Sequence, residues 1–397
     1  MTDPVARATA TDPGTLETYR TQAQAWLAEA DVPALPSAYE ARLSVTKTWQ
    51  RTLYDAGWIG IDWPQEFGGQ GLTTQHRLIF SEELVRARAP YPAGTIGLEV
   101  VGPTVLAFGT DDQRRRYIPK LLRGDELWCQ GFSEPDAGSD LANIRTSAVV
   151  DGDELVITGQ KVWTSWATDT DWCAALVRTE RGEPKHRGIT YVAVDMRAPG
   201  LTVRPIVQIT GDAEFNELIF EEVRVPIANV IGKIGDGWRL AMHTLGHERG
   251  GYAMRRRAEN ELAFIDFVSA VRADLAAGGD VDDQLVARLG RLYVELRAFE
   301  AQSHATAARL TAGDVPSPLD SVDKLAVSRT EQALYAAAVA FIDGDRRLST
   351  GVSSRGLDTE RWLKGLLYAR AGSVYGGSRQ IQRTIVAERL LGLPRSR

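Results

Sequence analysis

The chain has little of what marks a secreted, membrane-spanning or nucleic-acid-binding protein. It carries only two cysteines, Cys129 and Cys173, in 397 residues. Both sit in apolar, strand-like surroundings, so a disulfide framework is not expected and two buried thiols in a reducing compartment are. There is no basic surplus either. A formal charge of −6 leaves no reserve of cations to neutralise phosphates, which argues against a general nucleic-acid binder. No apolar run approaches membrane-spanning length, and the opening MTDPVARATATDPG lacks the apolar core of a signal peptide. A cytoplasmic protein with a disordered first dozen residues is the expectation. Fixed-period repeats and low-complexity tracts are missing too. The glycine-rich run Gly232 to Gly237 fits neither the dinucleotide nor the P-loop spacing, so it reads as a domain junction.

What is present is ordinary globular composition, 44% hydrophobic and 25% charged, on a chain long enough for two or three substructures. The grammar changes twice. Up to about Gly124 it is helical: Leu16, Tyr19, Ala23 and Leu27 fall at helical spacing, and further helices are expected over 37–56, 75–87, 97–108 and 111–122. The cluster from Pro64 to Gly71 makes a loop between them. From Asp125 to about Gly235, short apolar runs alternate with Gly, Pro and Asp, which indicates a compact antiparallel β-domain. Helix then returns to about Gly392, broken at Gly278-Gly279, Val315–Pro318 and Ser349–Gly356. The expected domains are 1–124, 125–235 and 236–397, an α+β chain ordered helical, β, helical.

The chemistry concentrates between Trp128 and Val177. A Ser-Glu-Pro turn is followed by Gly138, Ser139 and Asp140, small or polar groups whose N–H groups suit a bound anion. Ala148 and Val150, the Asp151-Gly152 turn, then Leu155 and Ile157 make a hairpin, ended by a break at Gly159. Trp163 and Ser165, two apart, are expected on one side of an extended strand, a flat surface beside a hydroxyl.

GFSEPDAGSDL (Gly131–Leu141) followed by that hairpin and GQKVWTSWA (Gly159–Ala167) resembles the central β-domain signature of the acyl-CoA dehydrogenases, which are flavoenzymes. Leu53–Leu72 resembles the turn between two helices of that family's N-terminal domain. Arg224–Trp238 is similar to the exit from its β-domain, and Gly376–Pro394 to its C-terminal helix. Four matches in order imply the acyl-CoA dehydrogenase fold, with a helical N-terminal domain, a middle antiparallel β-domain and a C-terminal four-helix bundle.

The resemblance also implies the site. Phe132 and Ser133 would line the isoalloxazine of FAD, Gly138 and Ser139 its pyrophosphate, and Gln130 the ring. Trp163 would cover the ring, keeping water from a hydride-transfer site, and Ser165 would approach N5. Ser378 and Gln380 join the cofactor set from the C-terminal match. Without the motif, Trp163 reads as a core aromatic and Ser139 as a turn residue. Dehydrogenation needs a carboxylate base near the carbon alpha to the thioester. The family's commonest base is the Glu of a Y-E-G-T-S run, where this chain has Tyr375-Gly376-Gly377-Ser378-Arg379. A second family pattern puts the base on the first helix after the β-domain, where Glu248 stands. Alone, Glu248 reads as a solvent-facing helix residue. The missing Glu and the flanking Gly246, Gly250 and Gly251, each costing about 1 kcal/mol inside a helix, favour the catalytic reading and suggest a kink or the close approach of a ligand. Gly376 keeps its N–H and is expected in the oxyanion site, although Gly376-Gly377 also reads as a simple helix break. Arg249 resembles a contact to the CoA adenosine, or is a surface arginine. His243 and His247, four apart, lack evident chelating partners, so no metal is expected.

Two family segments that reach a neighbouring subunit's FAD, R-x-x-F-G and Q-x-x-G-G-x-G, have no counterpart in Phe267–Gly279 or Ala340–Arg347. An assembly with a paralogous subunit, or a homotetramer, is expected, with an acyl-CoA substrate and an electron-transfer flavoprotein as acceptor. The His247-Glu248-Arg249 base run together with the Gly376-Gly377 motif resembles subunits of heteromers acting on bulky polycyclic thioesters, including steroid side-chain thioesters. A flavin-dependent oxygenase of the same fold and a non-catalytic structural subunit are the competing readings.

Overall fold

The computed structural model describes residues 14–36, 39–314, 317–342, 353 and 355–394, with the backbone only of 39–40 and 248–252. The expected disorder of the first dozen residues lies outside the described residues. So do Val315 and Pro316 and most of the proposed break at Ser349–Gly356. The chain divides into two compact units, Met1–Phe80 with Ala87–His247, and Ser81–Arg86 with Glu248–Arg397.

The first unit opens with α1 (Leu16–Glu29), capped by the Thr15 hydroxyl on the Thr18 N–H and burying Tyr19, Ala23 and Leu27 on one stripe. Then come α2 (Tyr39–Asp55), α3 (Thr74–Arg86, of which Ser81–Arg86 belong to the second unit) and α4 (Gly102–Phe108), the last extended at its start by a π-turn over Gly97–Val101. The clearest local signal belongs to α5 (Asp111–Arg123). Thr110 and Gln113 form a reciprocal capping box, acidic residues occupy the first turn and basic ones the last, and Gly124 ends the helix in the left-handed region.

Seven strands follow: β1 (Trp128–Gly131), β2 (Ser147–Asp151), β3 (Glu154–Ser165), β4 (Trp172–Arg178), β5 (Ile189–Asp195), β6 (Leu201–Ile206) and β7 (Phe215–Pro226). They form one sheet in the order β1-β4-β2-β3-β7-β6, with β5 beside β4. The sheet is mainly antiparallel, as alternation and turn residues suggested, but β1 runs parallel to β4 and sets Cys129 against Cys173 in register. Both thiols are buried and free. Their neighbours are Leu155, Ile157, Val194, Leu218 and Phe220, the apolar heart of this unit.

Gly159 does not end a strand. β3 runs through it, and the register against β7 shifts there instead. At φ 151°, an added Cβ would lie 2.6 Å from the Thr146 Cα, so the bulge needs glycine.

In the second unit, α6 (Gly237–Ala276, which starts in the first), α7 (Asp283–Thr311), α8 (Asp320–Ile342) and α9 (Thr359–Ala371) supply the four long helices, and α10 (Arg379–Ile385) follows. α6 runs as one helix through Gly246, Gly250 and Gly251. Phe267, Leu334, Phe341 and Trp362 centre the apolar core, with ring centroids 5.7 Å apart for Phe267 and Phe341. Arg257, itself buried, pairs with Glu82 and Glu261, so the charges inside are matched.

Gln113 ties helix to sheet. Its Oε1 accepts from the Thr110 N–H at 3.0 Å, and its Nε2 donates to the Ala228 and Val230 carbonyls at 2.8 and 2.9 Å. Gln113→Leu strands two acceptors and removes the reciprocal half of the capping box, leaving the Thr110 hydroxyl on the residue-113 N–H, and is expected to cost about 2–4 kcal/mol. Denaturant unfolding of the full chain tests this; a loss below about 0.5 kcal/mol would show that water replaces those bonds freely.

Candidate active site

The cofactor candidates of the first unit sit where β1 leaves the sheet and where β3 ends. A buried ion pair joins the two places. Lys161 Nζ lies 2.8 Å from Glu134 Oε1, with side chains 0% and 7% exposed. The same ammonium donates to the Phe132 carbonyl at 3.2 Å, while Glu134 also accepts from the Arg145 and Thr146 N–H groups at 2.6 and 3.0 Å. The Val162 N–H donates to the Ser133 carbonyl at 2.9 Å. Phe132 and Ser133 are therefore held against the strand that carries Trp163.

Burial pushes the Glu134 carboxyl up, but the charge and hydrogen bond of Lys161, with the bonds from Arg145 and Thr146, outweigh it and hold the group below its ordinary range. Its contribution to stability is complete above the ordinary carboxylate range and is lost as pH falls through the lowered folded value.

Trp163 is not on a regular extended strand as its spacing with Ser165 suggested. The register shifts between Lys161 and Thr164, and the extra residue leaves Trp163 at φ 60°. Trp166, at φ 54°, repeats the conformation. Left-handed backbone at a bulky residue is strained and gathers at working sites. Here the bulge presents Trp163 outward, 59% exposed, with only its edge against Phe215 at 6.1 Å. Thr164 beside it is buried, and its hydroxyl finds no partner among the described residues; Ser165 is half-buried.

Gln130 is on β1 opposite Ala174, and its Nε2 is buried without a partner among the described residues. Gly138 and Ser139 lie exposed after the Glu134–Ala137 bridge, and an added Cβ at Gly138 would meet nothing. Asp140 pairs with Lys185 at 3.3 Å.

Two further clusters of polar and aromatic side chains stand in this unit. A pocket of about 420 Å³ is lined by Pro184, His186, Arg187, Asp236, Trp238 and Arg239. His186 stacks on Trp238, centroids 5.7 Å apart, and Arg239 pairs with Asp236 and lies 4.4 Å above the Phe108 ring. The signal was the run Lys185-His186-Arg187, which nothing in the sequence connects to Trp238. The second is the imidazole pair. His247 Nε2 is 3.2 Å from His243 Nε2, and His243 Nδ1 is 3.3 Å from the Thr104 hydroxyl.

In the second unit, Gly376 and Gly377 form a left-handed turn at φ 62° and 86°. Ser378 caps α10 through its hydroxyl on the Ile381 N–H, and Gln380 is exposed. The side chains of Glu248 and Arg249 lie outside the described residues; their backbone belongs to α6.

Family models of acyl-CoA dehydrogenases match the chain in three pieces: the N-terminal domain over residues 14–125, the middle domain over 129–223 and the C-terminal domain over 235–391. Acyl-CoA dehydrogenase IpdE1 of Mycobacterium tuberculosis is 41% identical over 390 residues, covering 96% of this chain and 98% of its own. The chain belongs to the acyl-CoA dehydrogenase family. It is an oxidoreductase of a class whose members are FAD-dependent flavoproteins. Among solved structures, the steroid acyl-CoA dehydrogenase Tcur3481-Tcur3483 superposes with a TM-score of 0.84 at 27% identity, over 97% of this chain and 99% of that one. The ChsE4-ChsE5 complex of Mycobacterium tuberculosis does so with a TM-score of 0.81 at 29% identity, over 98% and 100%.

For an acyl-CoA dehydrogenase, the donor set suits a flavin. An exposed indole offers a flat face, the unpartnered Gln130 amide and Thr164 hydroxyl offer polar atoms, and the open backbone at Gly138 leaves room for phosphate oxygens. Among the described residues, no helix is long and apolar enough to cross a membrane.

Two predictions follow from the buried charges. Lys161→Met leaves Glu134 buried and unpaired and is expected to cost about 3–5 kcal/mol, read by denaturant unfolding. Adding Glu134→Leu should recover most of the loss; a Lys161→Met protein as stable as the parent would show that the pair contributes nothing. For His247, burial, then His243 and Arg77, push the imidazole down to about 3. It stays neutral in the folded state while the unfolded one protonates near pH 6.5. Stability is thus lost as pH falls from above 6.5 toward 3, with a slope approaching about 1.4 kcal/mol per pH unit. Subtracting the pH–stability curve of His247→Gln should expose that slope, and parallel curves would refute it.

Proposed function

We propose that the protein removes two hydrogens from the alpha and beta carbons of a bulky acyl-CoA thioester, giving the trans-2-enoyl-CoA, and passes the electrons to an electron-transfer flavoprotein. The observation that carries the reading is the surface that Lys161 and Glu134 hold together: Trp163 strained and exposed on one strand, Phe132 and Ser133 beside it, and Gln130 with a buried amide awaiting a partner. FAD held there, with Ser165, Gly138 and Ser139, Ser378 and Gln380 as further contacts, supplies the acceptor for the beta-carbon hydride.

Glu248 takes the alpha proton onto its carboxylate, replacing the Glu that is absent at Gly376. The Gly376 N–H stabilises charge on the thioester oxygen, and a donor already in place loses no reorganisation energy at that step. The pocket of His186, Arg187, Trp238 and Arg239, basic and aromatic together, suits the anionic nucleotide end of CoA. Arg249 is a CoA contact on the strength of the family resemblance.

A polycyclic, steroid-like acyl group is supported by the steroid acyl-CoA dehydrogenase among the similar structures. Pairing with a paralogous subunit is supported by the likeness to the ChsE4-ChsE5 complex and by the missing trans-contact motifs. The domains are taken as 1–124, 125–235 and 236–397, and the two free thiols, side by side in register, suit the cytoplasm.

Glu248→Gln is expected to lower kcat by about 10²–10⁴-fold, with FAD content and thermal stability unchanged. Unchanged turnover would leave the residue without a catalytic role. The flavin-to-chain ratio, measured for the chain alone and with a paralogous partner, tests the assembly. About one FAD per two chains in the mixed complex supports it, and a homotetramer with one FAD per chain rejects it. Anaerobic bleaching by steroid-side-chain thioesters supports the substrate class, whereas rapid air oxidation of the substrate-reduced protein favours an oxygenase.

A further inference from the structure

The Gly376-Gly377 turn is fastened from two sides. On one, Gln382 Nε2 donates to the Gly376 carbonyl at 2.9 Å and the Gly377 carbonyl at 3.3 Å. On the other, the Tyr375 ring covers the buried Lys324 ammonium at 4.3 Å, and Ser328 Oγ donates to the Gly372 carbonyl at 2.6 Å. The Arg379 N–H closes the loop onto the Ser373 carbonyl at 2.9 Å.

A trans peptide points its N–H opposite its C=O. With both carbonyls drawn toward Gln382, the N–H groups of Gly377 and Ser378 face away from it. The Gly376 N–H, between an anchored carbonyl and an anchored tyrosine, has no room to swing. Among the described residues none of these three N–H groups donates to a protein acceptor. Only glycine takes both left-handed positions without strain, and a Cβ on Gly377 would strike the Gln382 amide.

Gln382 is 1% exposed, and its Oε1 is buried with no donor among the described residues. An apolar side chain of the same shape would avoid that loss, so the residue is explained by what its Nε2 does. We infer that Gln382 is a positioning residue for dehydrogenation: by holding the carbonyls of Gly376 and Gly377 it aims the N–H groups of the turn at the thioester oxygen. This rests on the proposed oxyanion role of Gly376.

The test uses the flavin-loaded full chain with its partner. Gln382→Met keeps the bulk and removes the donor, while Gln332→Met removes a comparable bond to the Ala369 carbonyl as a control. Without substrate, hydrogen exchange at the amides of residues 379 and 382 should rise roughly tenfold in the first variant only. Its kcat should fall about tenfold or more, with KM within about threefold. The infrared carbonyl stretch of bound [1-13C]crotonyl-CoA should move back toward its free position. If Gln382→Met does not fold, Gln382→Glu, a carboxylate of the same length, is expected to show the same three changes. Exchange and carbonyl stretch matching the parent, with the parent's own carbonyl clearly shifted, overturn the role of Gln382 alone. A parent that leaves the carbonyl at its free position overturns the oxyanion reading, and this assignment with it.

Discussion

The first unit depends on one buried pair of charges. Lys161 and Glu134 lie 2.8 Å apart with almost no exposure, and every other polar contact around them is arranged to keep that tolerable. Desolvating two ions costs several kcal/mol each, and attraction offsets this only when the remaining hydrogen-bonding positions are filled. Here they are, by the Phe132 carbonyl and by the Arg145 and Thr146 N–H groups. Each partner is on a different stretch of chain, so satisfying the charges brings three stretches to one point. An apolar contact of equal strength would allow the Ser-Glu-Pro turn to slide along β3. A pair that needs four defined bonds does not.

That constraint explains how a strained tryptophan is tolerated next door. Left-handed backbone at a bulky residue costs of order 1–3 kcal/mol and persists only where its surroundings over-determine it. Lys161, two residues before Trp163, is anchored in the core, and Thr164, one residue after, is buried with its carbonyl bound by Asn216 at 3.2 Å. The bulge between them has a pinned start and a pinned end, and the indole is the part left outside. The turn at Gly376 uses a similar device, with the neutral Gln382 amide on one side and the Lys324 ammonium beneath Tyr375 on the other. In both units a segment proposed for the site is held from behind by buried polar side chains.

Much of the fold was legible because its signals are local. Thr15 and Thr110 cap helices, Tyr19, Ala23 and Leu27 repeat at four residues, and Gly152 makes a hairpin turn at φ 63°. What was illegible is set by partners distant in sequence. Gly159 looked like a stop because glycine usually weakens a strand, whereas the close approach of Thr146 makes it a bulge. The parallel pairing of β1 with β4 and the stacking of His186 on Trp238 have no spacing that announces them. The site divided the same way. The residues proposed to face a flavin were readable from a motif, but Glu134, Lys161 and Gln382 stood inside the same segments with no role, since a motif names residues and does not say which of them face inward.

The absence of the trans-contact motif becomes physical in the C-terminal bundle. Phe267, at the start of the stretch where that motif would fall, is fully buried, packed against Phe341 and Trp362, with Ala270 and Val271 buried after it. Those positions are committed to the bundle's own core. Turning them outward toward a neighbour's cofactor would open a cavity and cost about 2–5 kcal/mol for each large apolar side chain removed. Of the second such stretch, Ala340–Arg347, Phe341 and Ile342 are buried in the same core and residues 343–347 lie outside the described residues. If the surface around Trp163 holds the chain's own flavin, as proposed, a chain whose donor segment is committed to its core would use a neighbour that it does not reciprocate. Two identical copies related by a twofold axis would share the same deficit, because a symmetric interface repeats whatever one side lacks. A partner of different sequence would escape that symmetry, and this is the physical argument behind the mixed assembly proposed above.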